Sequence, residues 1–344
     1  MNNTGIICTM GPATRSKEVL TKMLKSGMTM IRFNFSHGTF AEYEKDFELI
    51  RTLNNSYYKS NGEKLKILVD LEGHRIRIGA LKNNKIKLTN GEKLILTDDN
   101  IIGDNKKIYI DYKNSLTDIT SGCEIFIDDG NLVLKVLSSK NHEIVTEIKN
   151  DYILKSYKGI NIPKAKLKFP KIEQKDIDGM IFALKHGVDI IANSFVRYAE
   201  DMTPLLNILN NEGNTTCKLV AKIEDRLGID NLEEIIKVSD GIMIARGDLG
   251  ISIPMWTLPI EQKRIIKQCK IYNKFVIIAT QMIESMIKNH IPTRAEISDV
   301  ANAVIDGANY VMLSAETAIG KHPDKVVKII NNIISFTEKN SMHI

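Results

Sequence analysis

Residues 218–250 read KLVAKIEDRLGIDNLEEIIKVSDGIMIARGDLG, and this stretch holds two short apolar runs on either side of an amphipathic segment. The runs Lys218–Glu224 and Gly241–Arg246 are rich in aliphatic residues, as strands buried on both faces of a parallel sheet are. Between them, Ile229–Val238 has the apolar spacing of a helix that packs one face on a core. The stretch therefore predicts one βαβ unit of a parallel sheet.

The same alternation of strand and helix occurs along the rest of the chain. Six further runs predict strands, at Gly5–Met10, Met28–Asn34, Leu65–Asp70, Asp189–Phe195, Phe275–Met282 and Tyr310–Glu316. Further helices are predicted at Ser16–Ser26, Gln174–His186, Leu258–Tyr272 and Thr293–Asp306. Eight strands with crossover helices predict a fold of the α/β class, a (β/α)8 TIM barrel.

The third and fourth predicted strands are separated by more than a hundred residues, far beyond an ordinary connection in such a fold. Within this interval, segments such as KIKLTNGEKLILTDD and EIFIDDGNLVLKV alternate apolar and polar residues around turn signals, which predicts antiparallel β-structure. The DDG at 128–130 is expected to be a hairpin turn. We predict a small all-β lid domain at 73–158, inserted after strand three over the barrel mouth, and a barrel formed by 1–72 and 159–344.

The composition argues against several classes of protein. The four cysteines, Cys8, Cys123, Cys217 and Cys269, lack CxxC spacing, so we expect buried free thiols rather than a zinc site or disulfides. No run approaches the ~18 apolar residues of a membrane span and no leader pattern begins the chain, which predicts a cytoplasmic protein without a membrane partner. The formal charge is +5, but the lysines are interleaved with Asp and Glu, so we expect anionic small substrates and no nucleic acid.

In a TIM barrel the carboxyl ends of the strands form the active face, and polar residues end most of the predicted strands here. They are Arg32, Asn34, Asp70, Lys222, Glu224, Thr280, Gln281, Ser314 and Glu316, with Ser36, His37, Arg246, Gly247 and Asp248 just beyond. A single one of them would more often form a structural ion pair. Convergence from six strands favours a functional site.

Lys222 and Glu224 stand two residues apart on one strand, so their side chains should project to the same side. Glu224 and Asp248 supply hard oxygen ligands without His or Cys nearby, which suits Mg²⁺ or Mn²⁺ and disfavours zinc. Beside such a metal, Lys222 could neutralise charge on a transferring phosphoryl group. The alternative is a purely structural salt bridge between Lys222 and Glu224.

Longer segments, in order along nearly the whole chain, resemble the pyruvate kinase family. They are ICTMGPAT at 7–14, GMTMIRFNFSHG at 27–38, IDDG at 127–130, KGINIP at 158–163, IIANSFVRYAED at 190–201 and KIEDRLGIDNLEEI at 222–235, followed by near-continuous similarity over 239–254 and 279–323. The resemblance implies a glycolytic phosphotransferase that uses Mg²⁺ or Mn²⁺ to move phosphoryl from phosphoenolpyruvate to ADP, giving pyruvate and ATP.

The resemblance also implies roles for individual residues. Arg32 would contact the phosphoryl group, and Lys222 would bind substrate and stabilise the transition state. Glu224 and Asp248 would hold the divalent metal. The positions implied to receive the enolpyruvate carboxylate are Ala245, Gly247, Asp248 and Thr280. The positions in the region that protonates the enolate are Thr280, Ser314 and Glu316.

Two further groups of positions match the family. Those that lie near the nucleotide are Asn34, Ser36, His37, Arg77 and Lys158. Those of the monovalent-cation site are Asn34, Ser36, Asp70 and the carbonyl of Leu71.

The segment DLEGHRIRIG departs from the family pattern. Potassium-dependent members have Thr and Glu where Leu71 and Arg75 stand, and the family usually has Pro where His74 stands. We predict that Arg75 takes the place of the potassium ion, because a fixed side-chain cation can substitute for a monovalent ion. The alternative is that Arg75 merely faces solvent at the lid hinge. His74 leaves the nucleotide acceptor open, with ADP as the default.

The sequence stops soon after a last amphipathic segment, Asp324–Glu338, so the family's C-terminal regulatory α/β domain is expected to be absent. Association into a homo-oligomer through the barrel faces is expected. Three functions remain open: a pyruvate kinase, a related enzyme with another acceptor, and a catalytically silent ligand-binding homologue. The third is disfavoured because the full set of catalytic positions is intact.

Overall fold

The structure is a computed structural model that describes residues 2–57, 64–165 and 167–341. Its first part alternates strands and helices: β1 (Gly5–Thr9), α1 (Lys17–Lys25), β2 (Met30–Asn34), α2 (Phe40–Tyr57) and β3 (Lys66–Asp70). Strand β2 pairs in parallel with both β1 and β3. Asn34 pairs with Asp70, so β2 and β3 end in the same row.

A run of short strands follows and forms a β-rich unit. Its strands are β4 (Ile76–Arg77), β5 (Lys85–Leu88), β6 (Lys93–Thr97), β7 (Lys107–Tyr109), β8 (Glu124–Ile127), β9 (Leu132–Lys140), β10 (Glu143–Ile148), β11 (Tyr152–Lys155) and β12 (Gly159–Asn161). One sheet has the order β4-β12-β8-β9-β10-β6-β7, and its pairs are antiparallel except β6–β7. Strands β5 and β11 pair as a separate ribbon.

The core of this unit is formed by side chains that alternate along each strand between the buried and the outer face. In β10, for example, every second residue is buried. Asp128, Asp129 and Gly130 have φ values of 54°, 56° and 83° and join β8 to β9, which confirms the predicted hairpin turn.

The remaining strands are β13 (Ile190–Asn193), β14 (Lys218–Ile223), β15 (Gly241–Ala245), β16 (Phe275–Ala279) and β17 (Tyr310–Leu313). With β1, β2 and β3 they form a closed parallel barrel in the order β1-β17-β16-β15-β14-β13-β3-β2. The predicted (β/α)8 barrel is confirmed. Its interior is packed with apolar side chains such as Ile7, Met30, Leu68, Met243 and Ile277.

The helices after the β-rich unit are α3 (Gln174–Lys185), α4 (Thr203–Asn211), α5 (Arg226–Asp230), α6 (Leu232–Val238), α7 (Arg246–Ser252), α8 (Leu258–Ile271), α9 (Arg294–Asp306), α10 (Ala315–Ala318) and α11 (Pro323–Asn340). The predicted ends of α1, α3, α8, α9 and α11 lie within two residues of the observed ones. A capping box between Thr293 and Glu296 explains the start of α9.

Four sequence predictions about these elements are wrong. The strand expected at Tyr310–Glu316 stops at Leu313, and Glu316 lies in α10. The single helix expected at Ile229–Val238 is divided into α5 and α6, because Asn231 leaves the helical conformation with φ −103° and ψ 18°. Arg246, expected to end a strand, begins α7 instead. The strand expected at Phe275–Met282 stops at Ala279, since Thr280 and Gln281 have φ values of 70° and 54°.

The chain forms two compact units, each of which makes most of its contacts within itself. The first contains Met1–Gly73, Ile172–Gly247 and Pro259–Ile344, and the second contains His74–Lys171 and Asp248–Leu258. The four cysteines are buried free thiols, as expected. Among the residues that the structure describes, none of the helices is long and apolar enough to cross a membrane.

Candidate active site

Three strands bring charged side chains together at one end of the barrel interior. Arg32 of β2, Asp70 of β3 and Lys222 of β14 are 8%, 1% and 9% exposed. The guanidinium of Arg32 donates from Nε and Nη2 to Oδ2 of Asp70, at 2.9 and 2.7 Å. The ammonium of Lys222 lies 2.9 Å from the other oxygen, Oδ1. One buried carboxylate therefore holds two cations.

Glu224 immediately follows β14 and is only 2% exposed. Its Oε1 lies 3.2 Å from Nζ of Lys222, and its Oε2 accepts a hydrogen bond from the backbone N–H of Phe195 at 2.6 Å. Lys222 and Glu224 thus lie on the same side of the strand, as the sequence predicted. The contact is one part of a larger network, so an isolated salt bridge does not describe it.

The charges of this network stabilise one another. Burial alone would raise the pKa of Asp70, but the charges of Lys222 and Arg32 outweigh burial and hold this pKa below its usual value. Burial alone would lower the pKa of Lys222, but the carboxylates of Asp70 and Glu224 raise it. Both groups therefore stay charged at neutral pH, inside a region from which water is largely excluded.

Two hydroxyl groups that no sequence pattern singled out complete the network. Oγ of Ser194 accepts a hydrogen bond from Nζ of Lys222 at 2.6 Å and donates to the carbonyl of Leu71 at 2.6 Å. Oγ1 of Thr9 accepts a hydrogen bond from Nη1 of Arg32 at 3.0 Å. Both residues occupy strand ends, Thr9 on β1 and Ser194 just after β13, so their position was the signal that could have found them.

The positions matched to the monovalent-cation site lie at the neighbouring ends of β2 and β3. Oδ1 of Asn34 accepts a hydrogen bond from the backbone N–H of Ser36 at 3.2 Å. The carboxylate of Asp70 already receives Arg32 and Lys222, and the Leu71 carbonyl receives Ser194.

Thr280 lies in the turn after β16, and its hydroxyl contacts the turn after β15. Its φ of 70° is rare for a β-branched residue. Oγ1 accepts a hydrogen bond from the backbone N–H of Gly247 at 2.9 Å. Gly247 follows Ala245, the last residue of β15, by two positions, and Asp248 lies in the first turn of α7. The structure therefore brings Thr280 and Gly247 together, and it engages the Gly247 N–H in doing so.

Glu316 is 1% exposed and connects the ends of β16 and β17. Oε2 accepts a hydrogen bond from the backbone N–H of Ser314 at 2.8 Å, and Oε1 accepts one from the backbone N–H of Ile283 at 3.4 Å. Burial raises the pKa of Glu316 above its usual value. This carboxyl group holds two loops in place at the strand ends.

A cavity of about 540 Å³ opens beside the charged network. Arg32, Asn34, His37 and Ser314, all chosen from the sequence, border it together with Thr9. This volume lies in the range that small-molecule ligands occupy in proteins.

The other predicted site residues belong to the second unit. Inside that unit, Nη2 of Arg75 lies 3.5 Å from Oδ1 of Asp248, and Asn161 donates a hydrogen bond to the same oxygen at 3.3 Å. Nζ of Lys158 lies 2.9 Å from Oδ1 of Asp128.

In the same unit, the backbone N–H of Arg77 donates to Oδ1 of Asp111 at 2.5 Å. The His74 ring stacks on Phe169 with a centroid distance of 5.0 Å. Arg75 is 26% exposed and also lies 3.6 Å from Asp129, so its side chain is engaged by carboxylates rather than facing only solvent.

The carboxylate oxygens suit a hard divalent ion such as Mg²⁺ or Mn²⁺ better than zinc. No group of three or more His, Cys, Asp or Glu placed to hold a metal occurs in the described part of the chain. Mg²⁺ commonly binds through one or two carboxylates plus water and substrate oxygens. The buried carboxylate of Glu224 is a ligand of that kind.

Comparison with known proteins agrees with this geometry. The family described as "Pyruvate kinase, barrel domain" matches residues 1–327. The chain is 41% identical to the pyruvate kinase of Bacillus licheniformis over 100% of this chain and 58% of that protein. It is 41% identical to the pyruvate kinase of Clostridium perfringens, over 99% of this chain and 71% of that protein.

A third relative, the pyruvate kinase of Thermococcus litoralis, is 41% identical over 98% of this chain and 70% of that protein. The chain therefore spans from 58% to 71% of the length of these three relatives. Because the match runs through every strand of the barrel and through Arg32, Asp70, Lys222 and Glu224, the chain belongs to the pyruvate kinase family.

Proposed function

We propose that this chain is a pyruvate kinase, which transfers phosphoryl from phosphoenolpyruvate to ADP with Mg²⁺ or Mn²⁺ and yields pyruvate and ATP. The observation that carries the proposal is the ammonium of Lys222, buried between Asp70 and Glu224 at 2.9 and 3.2 Å. A fixed charge in a water-poor site acts on a transferring phosphoryl group far more strongly than a charge in water.

Arg32 and Lys222 have complementary tasks in this proposal. Asp70 holds both cations through different oxygens, so the two charges stay in one orientation before substrate arrives. Phosphoryl transfer depends mainly on positioning and electrostatic stabilisation, with little covalent chemistry for the protein to perform. Arg32 would bind the phosphoryl oxygens, and Lys222 would stabilise the charge that spreads over them during transfer.

Glu224 and Asp248 are the proposed ligands of the divalent ion, which would act as a Lewis acid on phosphoryl oxygens when bound. The proposed site for the carboxylate of phosphoenolpyruvate comprises the backbone at Ala245, Gly247 and Asp248 with the Thr280 side chain. Thr280, Ser314 and Glu316 belong to the proposed protonation region. Of these, the Thr280 hydroxyl accepts from Gly247 at 2.9 Å, so its own hydrogen can be donated elsewhere.

The proposed nucleotide-binding residues are Asn34, Ser36, His37, Arg77 and Lys158. Asn34 and His37 border the cavity of about 540 Å³, which supports a ligand role for the end of β2. His74 stacks on Phe169, an aromatic pair that supports testing acceptors other than ADP.

We further propose that turnover does not require potassium, because Arg75 supplies a fixed positive charge. Its Nη2 lies 3.5 Å from Asp248 and 3.6 Å from Asp129, so two carboxylates of the second unit favour this position of the guanidinium. Turnover should then be equal within about twofold in potassium and in tetramethylammonium, since no monovalent ion is needed. Arg75→Gln should lower kcat and make it respond to potassium, whereas Lys82→Gln, an exposed cation of the same unit, should change neither. A steep potassium requirement in the unaltered chain would remove this proposal.

The remaining proposals concern organisation. We propose a barrel domain at 1–72 and 159–344, a lid domain at 73–158, a cytoplasmic location, and a homo-oligomer that uses barrel faces. Exposed apolar side chains on α8 and α9, including Ile260, Ile271 and Ile297, support an association surface on those helices.

The test of the main proposal is pyruvate formation by the purified chain from phosphoenolpyruvate with Mg²⁺ or Mn²⁺ and a panel of nucleoside diphosphates. Turnover with ADP is the expected result. Turnover only with another acceptor would point to a related phosphotransferase. Absence of turnover in folded, metal-binding protein would identify a silent homologue.

A further inference from the structure

The guanidinium of Arg246 joins the start of α7 to the turn after β16. Arg246 is 6% exposed. Its Nε and Nη2 both donate to the carbonyl oxygen of Thr280, at 3.1 and 2.7 Å, and Nη2 also donates to the carbonyl of Gln281 at 2.8 Å. Nη1 donates to Oδ2 of Asp299, in α9, at 2.7 Å. All three guanidinium nitrogens are therefore engaged.

The turn that Arg246 holds is a strained one. Thr280 and Gln281 have φ values of 70° and 54°, and neither is glycine. The left-handed region is unfavourable for L-residues, most of all for a β-branched one, and such residues persist where surrounding contacts over-determine them. The planar fork of Arg246 donates to both carbonyls at once in a fixed geometry, which the rotatable N–H groups of a lysine ammonium do not provide.

The segment that contains Arg246 also contacts the Thr280 hydroxyl. The residue that follows Arg246, Gly247, donates its backbone N–H to Oγ1 of Thr280 at 2.9 Å. The segment 246–247 therefore donates to Thr280 at two places. The Arg246 guanidinium donates to its carbonyl oxygen, and the Gly247 N–H donates to its hydroxyl oxygen. These two contacts fix the Thr280 backbone on one side and occupy one acceptor position of its hydroxyl oxygen on the other.

We propose that Arg246 is a positioning residue that acts through Thr280, with Asp299 as the carboxylate that orients its guanidinium. The inference rests on the proposed function, in which Thr280 belongs to the region that protonates the enolate. In that step the C=C electron pair of enolpyruvate takes up a proton at the methylene carbon. The oxygen lone pair forms the ketone carbonyl, and water replaces the proton that the hydroxyl relays. A misplaced hydroxyl would slow this step and, because Thr280 also belongs to the proposed carboxylate site, would weaken the binding of phosphoenolpyruvate to a smaller extent.

The test is a double-mutant cycle of Arg246→Lys with Thr280→Ala. Lysine keeps the charge but loses the fork, so we expect kcat to fall about 10- to 100-fold, with KM for phosphoenolpyruvate changed less than about threefold. Exchange of solvent deuterium into the methyl group of pyruvate should slow by the same factor. In the Thr280→Ala background, which lacks the hydroxyl, adding Arg246→Lys should lower kcat by less than about threefold.

Arg264→Lys is the matched control, because Arg264 forms an ion pair with Glu261 at 2.7 Å on the exposed side of α8. It should leave kcat unchanged. Hydrogen exchange of the backbone over 275–283 should quicken in Arg246→Lys and stay unchanged in the control. If Arg246→Lys does not fold, Asp299→Asn, which keeps both carbonyl contacts, should still lower kcat a few-fold and quicken the same exchange.

The inference would be overturned if the double variant lost kcat by the product of the two single-variant factors. An Arg246→Lys variant with unchanged kcat would overturn it too. Unchanged backbone exchange over 275–283 in that variant would overturn it as well. An unaltered chain without turnover would instead overturn the proposed function, and the exchange comparison would then still decide whether Arg246 holds the turn.

Discussion

The ammonium of Lys222 lies 2.9 Å from Oδ1 of Asp70, whose side chain is almost wholly buried. Lys222→Met should therefore remove a principal electrostatic stabiliser and lower kcat at least about 10²- to 10³-fold. It should also destabilise the fold by about 3–5 kcal/mol, since the buried carboxylates of Asp70 and Glu224 each lose one of their partners. Single-turnover kinetics and urea unfolding measure the two effects.

Lys218→Met provides the control for that substitution, because Lys218 begins the same strand with a half-exposed side chain, paired with Asp240 at 3.2 Å. It should change stability by less than about 1 kcal/mol, as exposed ion pairs contribute little. Retention of full turnover in Lys222→Met would remove the catalytic role assigned to the ammonium.

Ser194→Ala tests the hydroxyl that bridges Lys222 and the carbonyl of Leu71, at 2.6 Å from each. Loss of the hydroxyl leaves a buried carbonyl without this donor, which should cost about 1–3 kcal/mol of stability. Lys222 keeps both carboxylates, so kcat should fall less than in Lys222→Met. Ser121→Ala removes an exposed hydroxyl that donates to Leu137, and it should have almost no effect on either quantity. Equal behaviour of the two serine variants would contradict the role given to Ser194.

Glu224→Gln tests the metal assignment without using activity. Removing the charge of a ligand should weaken Mn²⁺ binding by at least the ~10- to 100-fold that loss of a supporting residue costs. Electron paramagnetic resonance of free Mn²⁺ measures the affinity directly. Glu233→Gln, which alters an exposed carboxyl on α6, serves as the control and should bind as the unaltered chain does. Unchanged affinity in Glu224→Gln would place the metal elsewhere.

Glu316→Gln should reveal the buried carboxyl through the pH dependence of stability. Burial raises the pKa of Glu316 above its usual 4.5, so the folded chain binds this proton more tightly than the unfolded chain. The stabilising contribution is present below about pH 4.5 and is lost as the pH rises through the folded pKa. Gln resembles the protonated acid, so the variant should gain stability relative to Glu316 across that rise and then level off.

Urea unfolding between pH 4 and 9 measures this difference, with the exposed Glu212→Gln as the control. If the difference in free energy of unfolding between Glu316→Gln and the unaltered chain does not vary with pH, the Glu316 carboxyl ionises as easily in the folded chain as in the unfolded one.

Hydrophobic runs and strand-end chemistry predicted much of the fold and part of the site. Arg32, Lys222 and Glu224 could be chosen because they stand at the carboxyl ends of apolar runs, where a barrel places its functional groups. The sharing of Asp70 between two cations could not be predicted, because periodicity says which face a side chain occupies and not which atom it meets. The atoms that the Thr9 and Ser194 hydroxyls contact could not be predicted for the same reason, although the position of both residues at strand ends could have singled them out.

Local backbone geometry was the second feature that the sequence did not predict. Thr280 and Gln281 adopt positive φ without a glycine to signal it, so the strand was extended too far. Asn231 interrupts a segment whose apolar spacing is that of one continuous helix. In both places tertiary contacts determine the conformation, and a sequence pattern carries no direct record of them.

Closure of the barrel by β1 and β17 has a consequence for synthesis on the ribosome. The Thr9 hydroxyl donates to the carbonyl of Leu313, 304 positions later in the chain. At ~5–20 residues per second, about 15 to 60 s separate the emergence of these two partners. Throughout that interval Ile6, Ile7 and Cys8, all but completely buried in the finished barrel, have no strand on one side. The β8–β9 hairpin pairs within a few residues and can form early. The nascent chain should therefore need chaperone protection at its first strand until its last one is made.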